Sequence, residues 1–218
     1  MKSTENILIK MRLVFDIGAN RGRTAEIFLN DFERVISFEP NPGLADFLKK
    51  RFQNSKLVVD KRAISHQKGT QEFKLANVDT ISTLSIDWVE NSRFTGEYHW
   101  DNSIVVETIT LSDAIKEYGI PDYVKIDTEG YEYEILTNFH ELLPETLFAF
   151  EWAEEQKGKI KKTLQHLFTL GYTHFAFTEG DPVLYDNQLS WNTFNDFNLI
   201  ETLDETRKSK WGMIYFKK

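Results

Sequence analysis

The strongest constraint in this chain is a repeating order of short apolar run, turn and amphipathic stretch. Leu13-Val14-Phe15 runs into Asp16 and reads as a first strand. Gly22 to Leu29 reads as a helix whose apolar positions are Ala25, Ile27, Phe28 and Leu29, and Val35 to Phe38 reads as a second strand. Leu44, Phe47, Leu48 and Phe52 recur near i, i+3, i+4 and i+8, the period of a second helix. Leu57-Val58-Val59 is a third strand. Strands this short and continuously apolar, joined through helices, need cover on both faces, which describes an α/β chain on a parallel sheet.

The order breaks over residues 71–111. Phe73 and Leu75 alternate with polar neighbours, the stretch from Val105 to Leu111 looks similar, and Trp88, Phe94, Tyr98, His99 and Trp100 lie between them. This segment is too short to bury a core alone. It is expected to lie over the sheet as an excursion, with a single domain across 1–218. The alternation then resumes. Tyr123 to Ile126 is a strand ending at Asp127, Tyr131 to Phe139 a helix, and Leu147 to Phe150 a strand ending at Glu151. Gln156 to Leu170 reads as a helix stopped by Gly171, followed by strands at His174–Phe177 and Trp211–Phe216.

A formal charge of −8, from 26 basic and 34 acidic residues, offers no generic surface to a phosphate backbone, so no nucleic-acid partner is expected. The basic clusters Lys49-Lys50-Arg51 and Lys159, Lys161, Lys162 fall in helix-like segments and read as solvated faces. With no cysteine there is no disulfide, thiolate metal site or cysteine nucleophile, which fits the cytoplasm. Residues 1–10 are polar and carry no apolar run, so neither a leader nor a membrane partner is expected.

Besides the strand that ends at Glu151, three run into a carboxylate: Asp16, Glu39 and Asp127. Ligands of open parallel sheets bind beyond the carboxyl ends of the strands. The first turn, Asp16-Ile17-Gly18-Ala19-Asn20-Arg21-Gly22, carries two glycines that permit a tight turn and a close ligand approach, and Asn20 is placed to cap the next helix. Asn20 also stands where a dinucleotide fingerprint has its second glycine. A diphosphate wants a bare helix N-terminus, whereas a carboxylate beside the turn favours a cationic ligand. Glu39, about twenty residues past the first glycine, offers two acceptor oxygens to a ribose diol, and Pro40 and Pro42 stiffen the turn after it. Singly, Asp16 or Glu39 would serve equally as a helix cap or loop carboxylate. Together, one helix apart, they mark a nucleotide site.

The run from Val14 to Thr24 resembles the first motif of FkbM-type methyltransferases, and Phe38-Glu39-Pro40-Asn41-Pro42 resembles their second. Ala63-Ile64-Ser65, followed by Gly69, resembles the segment after their third strand. Val124-Lys125-Ile126-Asp127-Thr128-Glu129-Gly130-Tyr131-Glu132 resembles their Lys-Ile-Asp-x-Glu-Gly signature, so the resemblance spans Val14 to Glu151. It implies a class I, Rossmann-like methyltransferase fold: a seven-stranded, mostly parallel sheet with an antiparallel last strand and helices on both faces. It implies S-adenosylmethionine as cofactor and O-methylation, so a sugar, glycan or glycosylated small molecule is the expected acceptor. By the same resemblance Asp16, Gly18, Asn20 and Thr24 would lie along the methionine part, on the turn that Gly22 closes. Glu39 would hold the ribose, Ala63 and Ile64 would sit near the adenine, and Asp127 would sit under the methyl or the methionine amine. His66 departs from the acid or amide expected after Ala-Ile-Ser.

Transfer to a hydroxyl needs help in removing its proton. The candidates are Asp127 and Glu129, then Glu151, then His66, which is favoured over His99 and His140 by following the third strand. Lys125 alternates away from Val124 and Ile126 and is placed to pair with an acid. Three carboxylates also suit a divalent ion by ligand chemistry, but their spacing fixes no ligand set and no metal is assigned. Trp88, Phe94, Tyr98, Trp100 and Trp152 would either offer faces to a sugar or pack the excursion onto the sheet. A nicotinamide-dependent oxidoreductase and a non-catalytic nucleotide-binding or interaction domain stay open as alternatives. The missing glycine and the Lys-Ile-Asp-x-Glu-Gly run stand against the oxidoreductase.

Overall fold

A computed structural model describes residues 11–193 and 210–218, and the expectation for residues 1–10 lies outside them. The chain runs β1 (Met11–Ile17), α1 (Arg23–Asp31), β2 (Phe32–Phe38), α2 (Pro42–Arg51), β3 (Leu57–Asp60), β4 (Ala63–Ile64), β5 (Gly69–Leu75), α3 (Ile86–Asn91), β6 (Asn102–Ile109) and α4 (Leu111–Tyr118). It continues β7 (Tyr123–Ile126), α5 (Glu132–Thr137), β8 (Leu147–Ala153), α6 (Lys157–Thr169), β9 (His174–Phe177), β10 (Asn192–Thr193) and β11 (Trp211–Lys217).

The main sheet has the order β10-β9-β11-β8-β7-β1-β2-β3. β1 pairs in parallel with β2 on one side and β7 on the other, so the strand order reverses there. That reversal is the switch point at which open α/β sheets bind ligands. β11 runs antiparallel to both β8 and β9, as the class I methyltransferase fold requires. The sheet has eight strands where seven were expected. The extra one, β10, is a two-residue edge strand, too short to show an alternation.

The continuous apolar runs are explained by burial on both faces. Leu13, Phe15 and Ile17 of β1 belong to one buried cluster with Ala114 and Ile115 of α4, Ile135 and Leu136 of α5, and Ile160, Leu164 and Leu167 of α6. Val14 points the other way, into a cluster with Phe28 of α1, Phe32, Tyr123 and Tyr215. Among the described residues, no helix is long and apolar enough to cross a membrane.

A second sheet, β4-β6-β5, joins the aromatic-rich segment to Ala63–Ile64 before it, with β5 and β6 antiparallel from Gly69↔Thr108 to Leu75↔Asn102. Leu111 is a correction: it is the first residue of α4, where Thr110 and Asp113 form a reciprocal capping box. Between β5 and β6 the chain makes a short turn at Asp79–Ile81 and then α3. Buried Thr83 ties this connection to the carboxyl end of β7, its Oγ1 donating to the carbonyls of Thr128 (3.2 Å) and Glu129 (2.8 Å).

Candidate active site

A cleft of about 740 Å³ opens beyond the carboxyl ends of β1, β2, β7 and β8. That lies within the roughly 300–1,000 Å³ of small-molecule sites. The first turn forms one end, through Gly18, Asn20 and Thr24, with Glu39, Ala63 and Ile64 beside it. Asp127, Glu129 and Glu151 line the cleft as well, as do Arg93, Phe94, Tyr98 and Trp211.

The turn is held by backbone geometry. The amides of Gly18 and Ala19 both donate to Phe38 O, at 3.0 and 3.2 Å, while Asp127 N–H donates to Ile17 O at 3.1 Å. Gly18 has φ +79°, and a Cβ there would stand 1.7 Å from Asp127 O. The first turn and the end of β7 therefore touch backbone to backbone, as only glycine allows. Glu39 is buried and receives the amides of Asn20 on Oε2 (2.8 Å) and Asn41 on Oε1 (2.9 Å). Each oxygen keeps lone-pair capacity for a further donor. Burial raises the Glu39 carboxyl to about 7, against the lowering effect of those two amides.

Beneath the turn, Asp16 is 0 % exposed and neither of its oxygens has a hydrogen-bond partner. Register places it beside Lys125 of β7, whose Nζ is 3.9 Å from Asp16 Oδ1 and 2.9 Å from Asp127 Oδ2. Burial raises Asp16 to about 6, with Lys125 opposing. A buried carboxylate without donors is costly. Asp16, expected along the methionine part, is not in the cleft wall: it lies beneath the turn with Lys125 as the cation facing it.

After β7 and within β8, oxygens of Asp127, Glu129 and Glu151 all lie within 4.8 Å of one another. Glu129 sits in the left-handed region, φ +54°, held by the Thr83 bond to its carbonyl. Burial, reinforced by the neighbouring acids, pushes Glu129 and Glu151 well above the ordinary carboxylate range.

Other expected residues lie elsewhere. Gly22 is outside the cleft wall: with φ +80° it packs the turn onto α2, where a Cβ would meet Phe52 and Leu48. Asn20 does not cap α1, whose N-cap is Gly22 with no side-chain bond. Its φ of +48° turns the side chain across the cleft, where Nδ2 donates to Asp79 O (2.8 Å). His66 is not in the wall and reaches it through Tyr131, with Nδ1 2.7 Å from the phenol oxygen. Phe94 and Tyr98 line the cleft, but Trp88 and Trp152 are buried packing and Trp100 Nε1 bonds Ile81 O. Trp152 fails for a simple reason: successive strand residues face opposite ways, so Glu151 in the cleft sends Trp152 into the core.

Several wall residues carried no local signal. Asp79 meets Arg21, Nη2 to Oδ2 at 2.5 Å, and Asp181 pairs with Arg23, so the two arginines of the turn clasp segments far apart in sequence. Arg93 lies against the rings of Trp88, Phe94 and Trp211 and bonds Glu155.

A model of the FkbM methyltransferase domain matches residues 16–180, well over half of the chain. Among solved structures, the FkbM methyltransferase of Methylobacillus flagellatus superposes with TM-score 0.55 at 14% identity, covering 95% of this chain and 43% of that one. This chain thus spans less than half of that protein's length. The fibrillarin pre-rRNA processing protein of Methanococcus jannaschii superposes with TM-score 0.50 at 9% identity, covering 95% of this chain and 66% of its own. At such identities the likeness establishes the fold alone. No curated protein matches the chain in sequence. The family match, over the turn, Glu39 and the Lys125–Gly130 run just described, is decisive: the chain belongs to the FkbM methyltransferase family.

Proposed function

We propose that this chain is an S-adenosylmethionine-dependent O-methyltransferase acting on a hydroxyl of a sugar, glycan or glycosylated small molecule. Glu39 carries the cofactor reading: a buried carboxylate in the cleft wall beside the glycine turn, whose two oxygens each keep capacity for a ribose hydroxyl. Bound in the cleft, S-adenosylmethionine would supply an electrophilic methyl group. Gly18 and Asn20 would lie along the methionine part, with Asp16 supporting the turn from beneath, Glu39 would accept from the ribose hydroxyls, and Ala63 and Ile64 would flank the adenine. Phe94, Tyr98 and Trp211 support a ring-shaped acceptor, since aromatic faces suit the apolar C–H faces of sugars. Asp127, Glu129 and Glu151 are the groups positioned to orient the acceptor hydroxyl and handle its proton.

Calorimetric titration with S-adenosylmethionine, S-adenosylhomocysteine and NAD tests the cofactor. Micromolar binding of the first two is expected, and binding of NAD alone, or of none, would overturn the reading. Asp127→Asn is expected to lower transfer by roughly 10²-fold or more while changing cofactor affinity less than about tenfold. Methyl transfer into fractionated extract, read by mass spectrometry, measures the first quantity. Equal losses in both would make Asp127 a cofactor ligand instead.

A further inference from the structure

The loop between β5 and α3 reaches back to the turn after β1 and is tied to it at its tip. Its stem is closed by an antiparallel pair: Lys74 N–H donates to Thr83 O (2.8 Å) and Thr83 N–H to Lys74 O (3.0 Å). Further along, Ala76 N–H donates to Ser82 Oγ (3.1 Å) and Trp100 Nε1 to Ile81 O (2.9 Å). The tip is Asp79. Its carbonyl accepts from Asn20 Nδ2 (2.8 Å), and its Oδ2 receives both Nε (2.7 Å) and Nη2 (2.5 Å) of Arg21. Asn20 holds a left-handed backbone, φ +48°, while its own amide donates to Glu39 Oε2. A residue other than glycine keeps such a backbone only where its surroundings over-determine it. Val78 to Ser82 line the same cleft as Gly18 and Glu39, and Asp79 is near enough to act on the Glu39 carboxyl.

Stem and tip are held very differently. Thr83 is fully buried and its hydroxyl is bonded to the carbonyls of Thr128 and Glu129. At the tip, the Arg21 side chain is 61% exposed and that of Asp79 27%. Exposed ion pairs hold weakly and are screened by salt. A fixed stem with a weakly held tip suits a loop that opens and recloses over a ligand. We propose that Asp79 is a positioning residue: through Arg21 and Asn20 it latches this loop onto the first turn and gates passage into and out of the cleft. The identity of the gated ligand, S-adenosylmethionine, rests on the methyltransferase reading; the latch does not.

The chain has no cysteine, so nitroxides on Thr80→Cys, exposed at the loop tip, and Lys49→Cys, exposed on α2, label two positions alone. Double electron–electron resonance on the full chain without ligand should give one narrow distance. Arg21→Met and Asp79→Asn should each broaden it. Arg12→Met, which breaks another exposed pair at the far end of β1, should not. Circular dichroism checks that the variants fold. A distance already broad without these changes, or one that neither of the first two alters, overturns the latch. Stopped-flow binding of S-adenosylmethionine tests the gate. In Arg21→Met and Asp79→Asn the association and dissociation rate constants should both rise, roughly threefold or more, so that affinity changes less than either. A merely structural role would speed dissociation alone, and that result overturns the gate. Failure of the wild type to bind S-adenosylmethionine would sink the cofactor reading, and the distance measurement would still decide the latch.

Discussion

Gly18→Ala is expected to cost about 4 kcal/mol or more of folding stability and to abolish cofactor binding with it. Two penalties add. The alanine would have to hold φ +79°, a left-handed conformation costing roughly 1–2 kcal/mol for a residue with a Cβ. Its Cβ would also stand 1.7 Å from Asp127 O, a backbone atom that cannot rotate away. Relief needs the turn to lift from β7, but the amides of Gly18 and Ala19 are tied to Phe38 O and Asp127 N–H to Ile17 O. Such overpacking costs about 1–3 kcal/mol even where side chains can yield. Gly43→Ala is the matched control, because its Cβ would meet nothing closer than Asn41 Oδ1 at 3.4 Å. Urea unfolding should show a large fall in midpoint for Gly18→Ala and a shift within about 1 kcal/mol for Gly43→Ala. A wild-type midpoint for Gly18→Ala would show that the two strand ends are not locked together.

That contact also marks where sequence reasoning reaches and where it stops. The main sheet is legible because its strands are buried on both faces, so Leu13 to Phe15 or Tyr123 to Ile126 need no partner to be identified. Strand-end logic carries Asp16, Glu39, Asp127 and Glu151 to one edge, and β7 and β8 being neighbours brings the last two together. Lys125 was placed correctly towards an acid by alternation alone, and register supplies Asp16 and Asp127 as its partners. The same alternation, applied past Glu151, would have sent Trp152 into the core. Arg93, Asp79, Asp181 and Trp211 are different: each reaches the cleft from a loop or strand whose position depends on contacts far along the chain. The left-handed backbone of Asn20 and Glu129 is equally silent, because neither residue type demands it.

Glu39→Gln is the second large effect, and its signature is a dependence on pH. The wild-type carboxyl is raised to about 7 by burial, against an ordinary value of 4.5. In the unfolded chain it ionises first, so between these values the native state holds the extra proton. The contribution of this group to stability is therefore full below about pH 4.5, falls as pH rises towards 7, and is level above that. A shift of this size corresponds to about 3 kcal/mol. The glutamine cannot titrate, so wild-type stability measured relative to Glu39→Gln should decline by about that amount between pH 4.5 and 7. Acids remote from Glu39 titrate alike in both proteins and cancel in the difference; Asp16 and Asp79, which act on Glu39, are the ones that do not. Cofactor affinity should respond in the opposite sense, since ribose hydroxyls donating to Glu39 favour its charged form. Wild-type affinity for S-adenosylmethionine should strengthen from pH 6 to 8. Glu39→Gln should bind roughly 10- to 100-fold more weakly at pH 8, because an amide nitrogen would face the N–H of Asn20 or Asn41 and one acceptor is lost. Its affinity should also lack the carboxyl-dependent rise. A variant that binds as tightly as wild type at both pH values would remove Glu39 from the cofactor site.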